Sequence, residues 1–243
     1  MRGNLVVTGA SGALAQIFMP AARAAGWRVI AVSRREPPAD SPAEDLWLQE
    51  DVSTMAGAEA VFARLGEAGV LPDALAHLSG MLLLAGLAQT SEEQYRACMA
   101  ANLDSAFFML RAFVKARRRG GGGGAAVFVS SVVADIGVSF HEAVAAAKGG
   151  LEALIMAAAA THARDQIHVN GVRSGLMDSP AAAHLLRNER AREMAKQQYP
   201  LGEIISPQEV ASALLYLLGA EQITGQVLAV DAGFGAVRPL CSV

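Results

Sequence analysis

Small residues gathered in one turn are the first feature of this sequence with chemical potential. Thr8-Gly-Ala-Ser-Gly-Ala-Leu-Ala15 follows a short apolar run, Asn4 to Thr8, and opens a stretch with helical character. A pyrophosphate is held where the backbone can approach it closely and where a following helix offers free N–H groups and its positive dipole end. Gly9, Ser11, Gly12, Ala13 and Leu14 are therefore candidate phosphate contacts. Such a turn also serves ordinary tight packing; its place between a first strand and a first helix is what favours a dinucleotide. Ser33-Arg34-Arg35 ends the second apolar run. An acid there would grip the adenosine ribose of NAD, whereas an arginine pairs with the 2′-phosphate of NADP. Two arginines and no acid favour NADP(H). Asp51-Val52, past the third run, offers a carboxylate and an amide to adenine, or else a helix N-terminal acid favoured by the dipole.

These residues need elements that bring them to one edge, and the apolar pattern supplies them. Strands are expected at Asn4 to Thr8, Trp27 to Ser33, Asp45 to Gln49, Ala74 to Leu78, Val127 to Ser131, Ile167 to Arg173 and Gln226 to Val230. Helices are expected at Ser11 to Ala25, Thr54 to Glu67, Glu92 to Arg117, Glu142 to Ala163 and Pro207 to Leu218. The alternation predicts an α/β fold: a Rossmann-type, doubly wound parallel sheet in a three-layer α/β/α arrangement with right-handed connections. The tract Gly120 to Gly124 reads as a loop ending a helix, without the lysine and hydroxyl of a P-loop. Arg117-Arg118-Arg119 reads as a solvated helix end, where cations meet the negative pole.

With those elements in order, the chain resembles the short-chain dehydrogenase/reductase family over nearly its whole length. The resemblance rests on Thr8-Gly9 with its turn, Asp51-Val52, Asn102, Ser130-Ser131, Lys148 and Val169-Asn170 before Gly175. It continues through Pro200-Leu-Gly202, Pro207-Gln-Glu-Val210 and Thr224-Gly-Gln-Val227 with Asp231. It implies one NAD(P)-binding domain over residues 1–243 with a small substrate cap around 177–205. It further implies that Ser131 orients a substrate oxygen, Lys148 holds the nicotinamide ribose and Asn102 supports a water chain. Ser79 and Gly80 would flank the cofactor, and the Ser179 hydroxyl would meet the nicotinamide carboxamide.

Three departures bear on function. The family's turn reads TGxxxGxG, and Ala13 and Ala15 stand for its later glycines, so their methyl groups are expected to tighten the pocket. His77-Leu-Ser-Gly80 replaces the family's NNAG. The family's tyrosine is replaced too: counting from Ser131 and from Lys148 both lead to Val144, which can neither donate nor accept a proton. His141, about two turns before Lys148 on a continuous helix, is a candidate substitute with a reference pKa of about 6.5. Glu142 beside it is a second candidate, or a helix N-terminal acid. The resulting expectation is an NADP(H)-dependent oxidoreductase acting on a carbonyl or alcohol. The alternatives are a non-catalytic NADP(H)-binding protein or sensor, and a non-redox lyase or isomerase on the same fold.

Composition excludes other classes. Hydrophobic residues make up 53% of 243 and charged residues 18%, enough for a core and against disorder. A net charge of −3 argues against a nucleic-acid surface. Cys98 and Cys241 lack disulfide or zinc spacing, so no metal is expected. The longest uninterrupted apolar runs, such as Met81 to Ala88 and Ile155 to Ala160, fall short of the roughly 18 residues that cross a bilayer. The early apolar run is broken by Gly9, Ser11 and Gly12, unlike a signal peptide. A cytoplasmic homodimer or homotetramer acting on a small molecule is expected, with no membrane or nucleic-acid partner.

Overall fold

The structure is a computed structural model that describes residues 2–38, 41–42 and 46–238. Seven strands, β1 (Gly3–Thr8), β2 (Trp27–Ser33), β3 (Leu46–Gln49), β4 (Ala74–His77), β5 (Gly124–Ser131), β6 (Ile167–Ser174) and β7 (Val227–Val230), form one sheet. Their order is β3-β2-β1-β4-β5-β6-β7, and every pairing is parallel. A sheet covered on both faces needs strands that are apolar on both sides, and Leu5, Val6 and Val7 are all fully buried. The two-residue period sorts them. Val6, Ile30, Leu75 and Phe128 join one core with α2 (Met55–Glu67), α4 (Ser105–Arg119) and α5 (Glu142–His162). Leu5, Val7, Val29 and Val127 join the other with α1 (Ala13–Ala24) and α7 (Pro207–Gly219).

The expected long helix from Glu92 is interrupted. It runs as α3 (Glu92–Met99), a π-helical segment at Ala100–Asp104, and then α4. Such single-turn bulges re-aim side chains inside a helix, and this one carries Asn102. Residues 177–205 link β6 to α7 and contain α6 (Glu189–Lys196); a parallel bridge joins Met177 and Ile205, and Tyr199 and Ile205 are buried in the second core. Within this segment Ala182, Leu186 and Ala195 make a small cluster of their own.

Four expectations change. Arg117 is not solvated: its guanidinium donates to the carbonyl oxygens of Gly122, Gly123 and Pro72 and pairs with Asp73 at 3.0 Å. Gly124 belongs to β5 rather than to the loop. The alanine run Ala157 to Ala160, expected to offer a helix face for close contact with another copy, is half turned inward: Ala158 and Ala159 are buried in this chain's own core, and Ala157 and Ala160 are exposed. Finally, the helical stretches 92–119 and 142–165 are long and apolar enough to cross a membrane, which counting uninterrupted apolar runs did not register; 50% and 44% of their apolar windows are buried inside the fold. Asp45 and Cys241 lie outside the described residues.

Candidate functional site

In an open parallel sheet the ligand crevice lies beyond the C-terminal strand ends where the order reverses, here between β1 and β4. Gly9 leaves β1 with φ +68°, and a Cβ there would come within 2.9 Å of the Ser79 nitrogen and 3.0 Å of the Leu78 carbonyl carbon. The loop closes through Gly12 N–H on the Gly9 carbonyl at 2.8 Å. Helix α1 then starts with Gly12 as its cap residue, with no side-chain cap and no acid in its first turn. By contrast, Thr54, Ser91, Asn188 and Ser206 each cap their own helix. The open N–H groups of α1 are what an anion needs. Ala13 and Ala15 both line the second cavity, and Ala15 is otherwise buried in the core.

A cavity of about 390 Å³ runs along this edge past Gly9, Ser11, Gly12, Ser33, Arg34, Asp51, Val52, Ser79 and Gly80. Ser33 donates to Ser11 at 2.9 Å, tying the end of β2 to the phosphate turn. Asp51 accepts from the Ser53 hydroxyl and amide, which hold its carboxyl below the ordinary value, with the nearby Arg34 guanidinium adding to the effect. A second cavity of about 520 Å³ continues past Ala13, Leu14, Asn102, Ser131, Val144, Lys148 and Ser179. The third, about 510 Å³, is walled by Ser131, His141, Val144, Met177, Ser179 and Tyr199 among others. Ser131, Val144, Met177 and Ser179 line both of the last two, so these cavities meet there.

At that junction Lys148 is buried and donates to the Val129 carbonyl at 2.7 Å. Desolvation disfavours its charged form and pulls its pKa down to about 8. Asn102 donates to the carbonyls of Met81 and Cys98, both at 3.0 Å, and accepts from Met81 N–H, so it fixes the Met81 backbone beside Lys148. The Ser131 oxygen accepts only a long 3.5 Å contact from Val133 N–H, leaving its hydroxyl proton for another acceptor. His141 stands before the first turn of α5, with Nδ1 2.8 Å from the Ser139 carbonyl, so Nδ1 carries the proton and Nε2 is left to act. Glu142 is exposed in the first turn of α5 and lines none of the three cavities, as a helix N-terminal acid would.

A sequence family described as enoyl-(acyl carrier protein) reductase matches residues 10–235, nearly all of the fold just described. The chain belongs to the short-chain dehydrogenase/reductase family. Galactitol 2-dehydrogenase (L-tagatose-forming) of Cereibacter sphaeroides is 30% identical to it over 241 residues, 94% of this chain and 93% of that protein. Aldohexose dehydrogenase of Thermoplasma acidophilum, solved ligand-free, matches with TM-score 0.90 at 24% identity, over 100% of this chain and 98% of that one. 4-Hydroxyisoleucine dehydrogenase complexed with NADH matches with TM-score 0.91 at 21% identity, over 97% and 100%. These two likenesses show the fold.

Sequence reading missed two supports of this dehydrogenase/reductase site. The Ser105 hydroxyl donates to the Ala101 carbonyl, so it accepts from His77 Nε2–H at 3.1 Å, and His77 Nδ1 in turn accepts from Thr8 at 2.8 Å. Burial, with the Lys148 charge adding to it, lowers the His77 pKa to about 3, keeping the ring neutral in this relay between β1, β4 and α4. On the other side, Arg173 forks onto Glu152 at 3.0 and 2.5 Å, and Ser130 donates to the same carboxylate at 2.6 Å, bracing the strand end that carries Ser131. The His77 departure from the family pattern was the signal for the first; the second had none, because its members lie on β5, α5 and β6.

Proposed function

We propose that the chain is an NADP(H)-dependent oxidoreductase acting on a carbonyl or alcohol group. The observation that carries this reading is the meeting of the second and third cavities at Ser131 and Val144, with Lys148 buried on the cofactor side. A dinucleotide fits the edge: the uncapped α1 accepts a pyrophosphate, and a Cβ on Gly9 or on Gly80, 2.9 Å from Asn102 Oδ1, would fill the cradle. Exposed Arg34 on the cavity wall supports a 2′-phosphate, hence NADP(H) over NAD(H). When bound, the nicotinamide supplies or takes up a hydride, and the protein supplies orientation and electrostatics.

Ser131 donates its hydroxyl to the substrate oxygen. Lys148, as an ammonium on the wall of the second cavity, would hold the cofactor by donating to its ribose hydroxyls. Ser179, on the wall common to both cavities, meets the carboxamide. Val144 occupies the place of the family's tyrosine, so in alcohol oxidation the substrate proton passes to the Nε2 lone pair of His141 or to a water on that wall, and in carbonyl reduction the same Nε2, first protonated from solvent, or that water returns it. Residues 177–205 act as the cap over the substrate.

A second reading, a dinucleotide-binding protein without turnover, is favoured by one observation: Val144 is an aliphatic wall residue at the junction. NADPH consumption against a panel of ketones and aldehydes separates the two. The oxidoreductase reading expects turnover that falls about 100-fold in kcat/KM in Ser131→Ala, as for loss of one oxyanion donor, with NADPH affinity unchanged. Tight NADPH binding without turnover of any member favours the second reading, and equal turnover in Ser131→Ala overturns the role given to Ser131.

A further inference from the structure

The third cavity carries a statement about its occupant. Apart from Ser131, His141, Ser179, Gln198 and the Tyr199 hydroxyl, its uncharged wall is apolar, with Leu82, Val132, Leu176 and Met194 among its members, and no carboxylate lines it. One permanently charged side chain does, Arg187. It follows Leu186, which is buried in the small cluster with Ala182 and Ala195, so its backbone is anchored while its side chain is exposed on the cavity wall. Four carboxylates share the 177–205 segment, Asp178, Glu189, Glu193 and Glu203, and their charge partners are Arg192 and Lys196. Asp178 is forked by Arg192 at 2.8 and 2.9 Å, and Glu193 and Glu203 pair with Lys196. Among the described residues Arg187 makes no ion pair.

The geometry points to Arg187 as an anion subsite that selects substrates with an apolar body and a carboxylate at the end remote from the reacting carbon. The inference rests on the oxidoreductase reading and narrows it to oxo and hydroxy acids. In that reaction the carbonyl carbon gains a hydride from the reduced nicotinamide and the oxygen gains a proton, so the carboxylate is unchanged and serves recognition alone. An apolar wall rewards the hydrocarbon body. An arginine without an ion-pair partner among the described residues rewards the acid over its neutral isostere through a charge-assisted, bidentate contact. Because the residue is exposed, the preference weakens as salt rises.

The test is calorimetric titration with octanoate and with octanamide, on the intact protein with and without saturating NADPH. The expected result is binding of octanoate about 10-fold tighter than octanamide, equivalent to about 1.4 kcal/mol. In Arg187→Ala that ratio falls to about one while octanamide affinity stays the same, and Arg187→Lys restores part of it. Failure of octanoate to bind, equal affinities in the wild type, or an unchanged ratio in Arg187→Ala overturns the proposal. If NADPH itself does not bind, the oxidoreductase reading fails, and the octanoate comparison on the protein alone still decides the role of Arg187.

Discussion

Burial of the Lys148 ammonium gives the site a pH dependence that follows from one residue. Its folded pKa is down to about 8, against about 10.4 for an unperturbed lysine. Between those values the unfolded chain binds more protons than the folded one, so stability rises with pH through that window. Cofactor binding runs the other way, because only the ammonium donates to ribose hydroxyls as a cation. NADPH affinity is therefore expected to fall as pH rises through about 8, and Lys148→Met should hold it flat at the weaker level. Affinity that stays constant from pH 7 to 9.5 in the wild type would contradict the role. The local geometry of the β1–β4 edge was legible in sequence because it is set by neighbouring residues: a glycine at φ +68°, an uncapped helix start and an arginine at a strand end. His77 and Arg173 were not, since each acts through partners on other elements.

At the scale of elements, the strands were legible for a physical reason: a parallel strand covered on both faces is an unbroken apolar run, and β2 runs over Trp27–Ser33 as expected. The π segment at Ala100–Asp104 was not, because residues on either side keep the same helical apolar spacing and the extra residue is absorbed inside it. Helix α6 was missed since it is short, mostly polar and buries only Ala195. The arginine run shows composition giving the wrong emphasis. Arg117 is held by three carbonyl oxygens and Asp73, joining the end of α4 to the glycine tract and to the start of β4. Removing it leaves those acceptors without their donor. Arg117→Ala is expected to cost about 3 kcal/mol, read as a lower urea midpoint, whereas Arg119→Ala, exposed at the helix end, should change it little. Equal midpoints would show that the clamp contributes nothing.

For the whole molecule, one sheet places the phosphate turn, the Ser131–Lys148 pair and the cap along a single edge. That leaves the outer faces of α4 and α5 to other uses. Phe107 on α4 and Met156 on α5 are 47% and 57% exposed, and apolar helix faces left open favour self-association. We propose a homodimer or homotetramer through these helices. Light scattering should give a multiple of the 25.2 kDa chain mass, lowered in Phe107→Glu/Met156→Glu; a monomer at micromolar concentration would contradict it. The central claim is narrower and concerns the dinucleotide. Calorimetric titration of protein stripped of carried-over nucleotide, with NADPH and with NADH, tests it most directly. The expected result is NADPH binding at least about 10-fold tighter than NADH, with Arg34→Ala losing about 1.4 kcal/mol or more of NADPH affinity and little of NADH. Binding of neither nucleotide, or equal losses for both in Arg34→Ala, would contradict it.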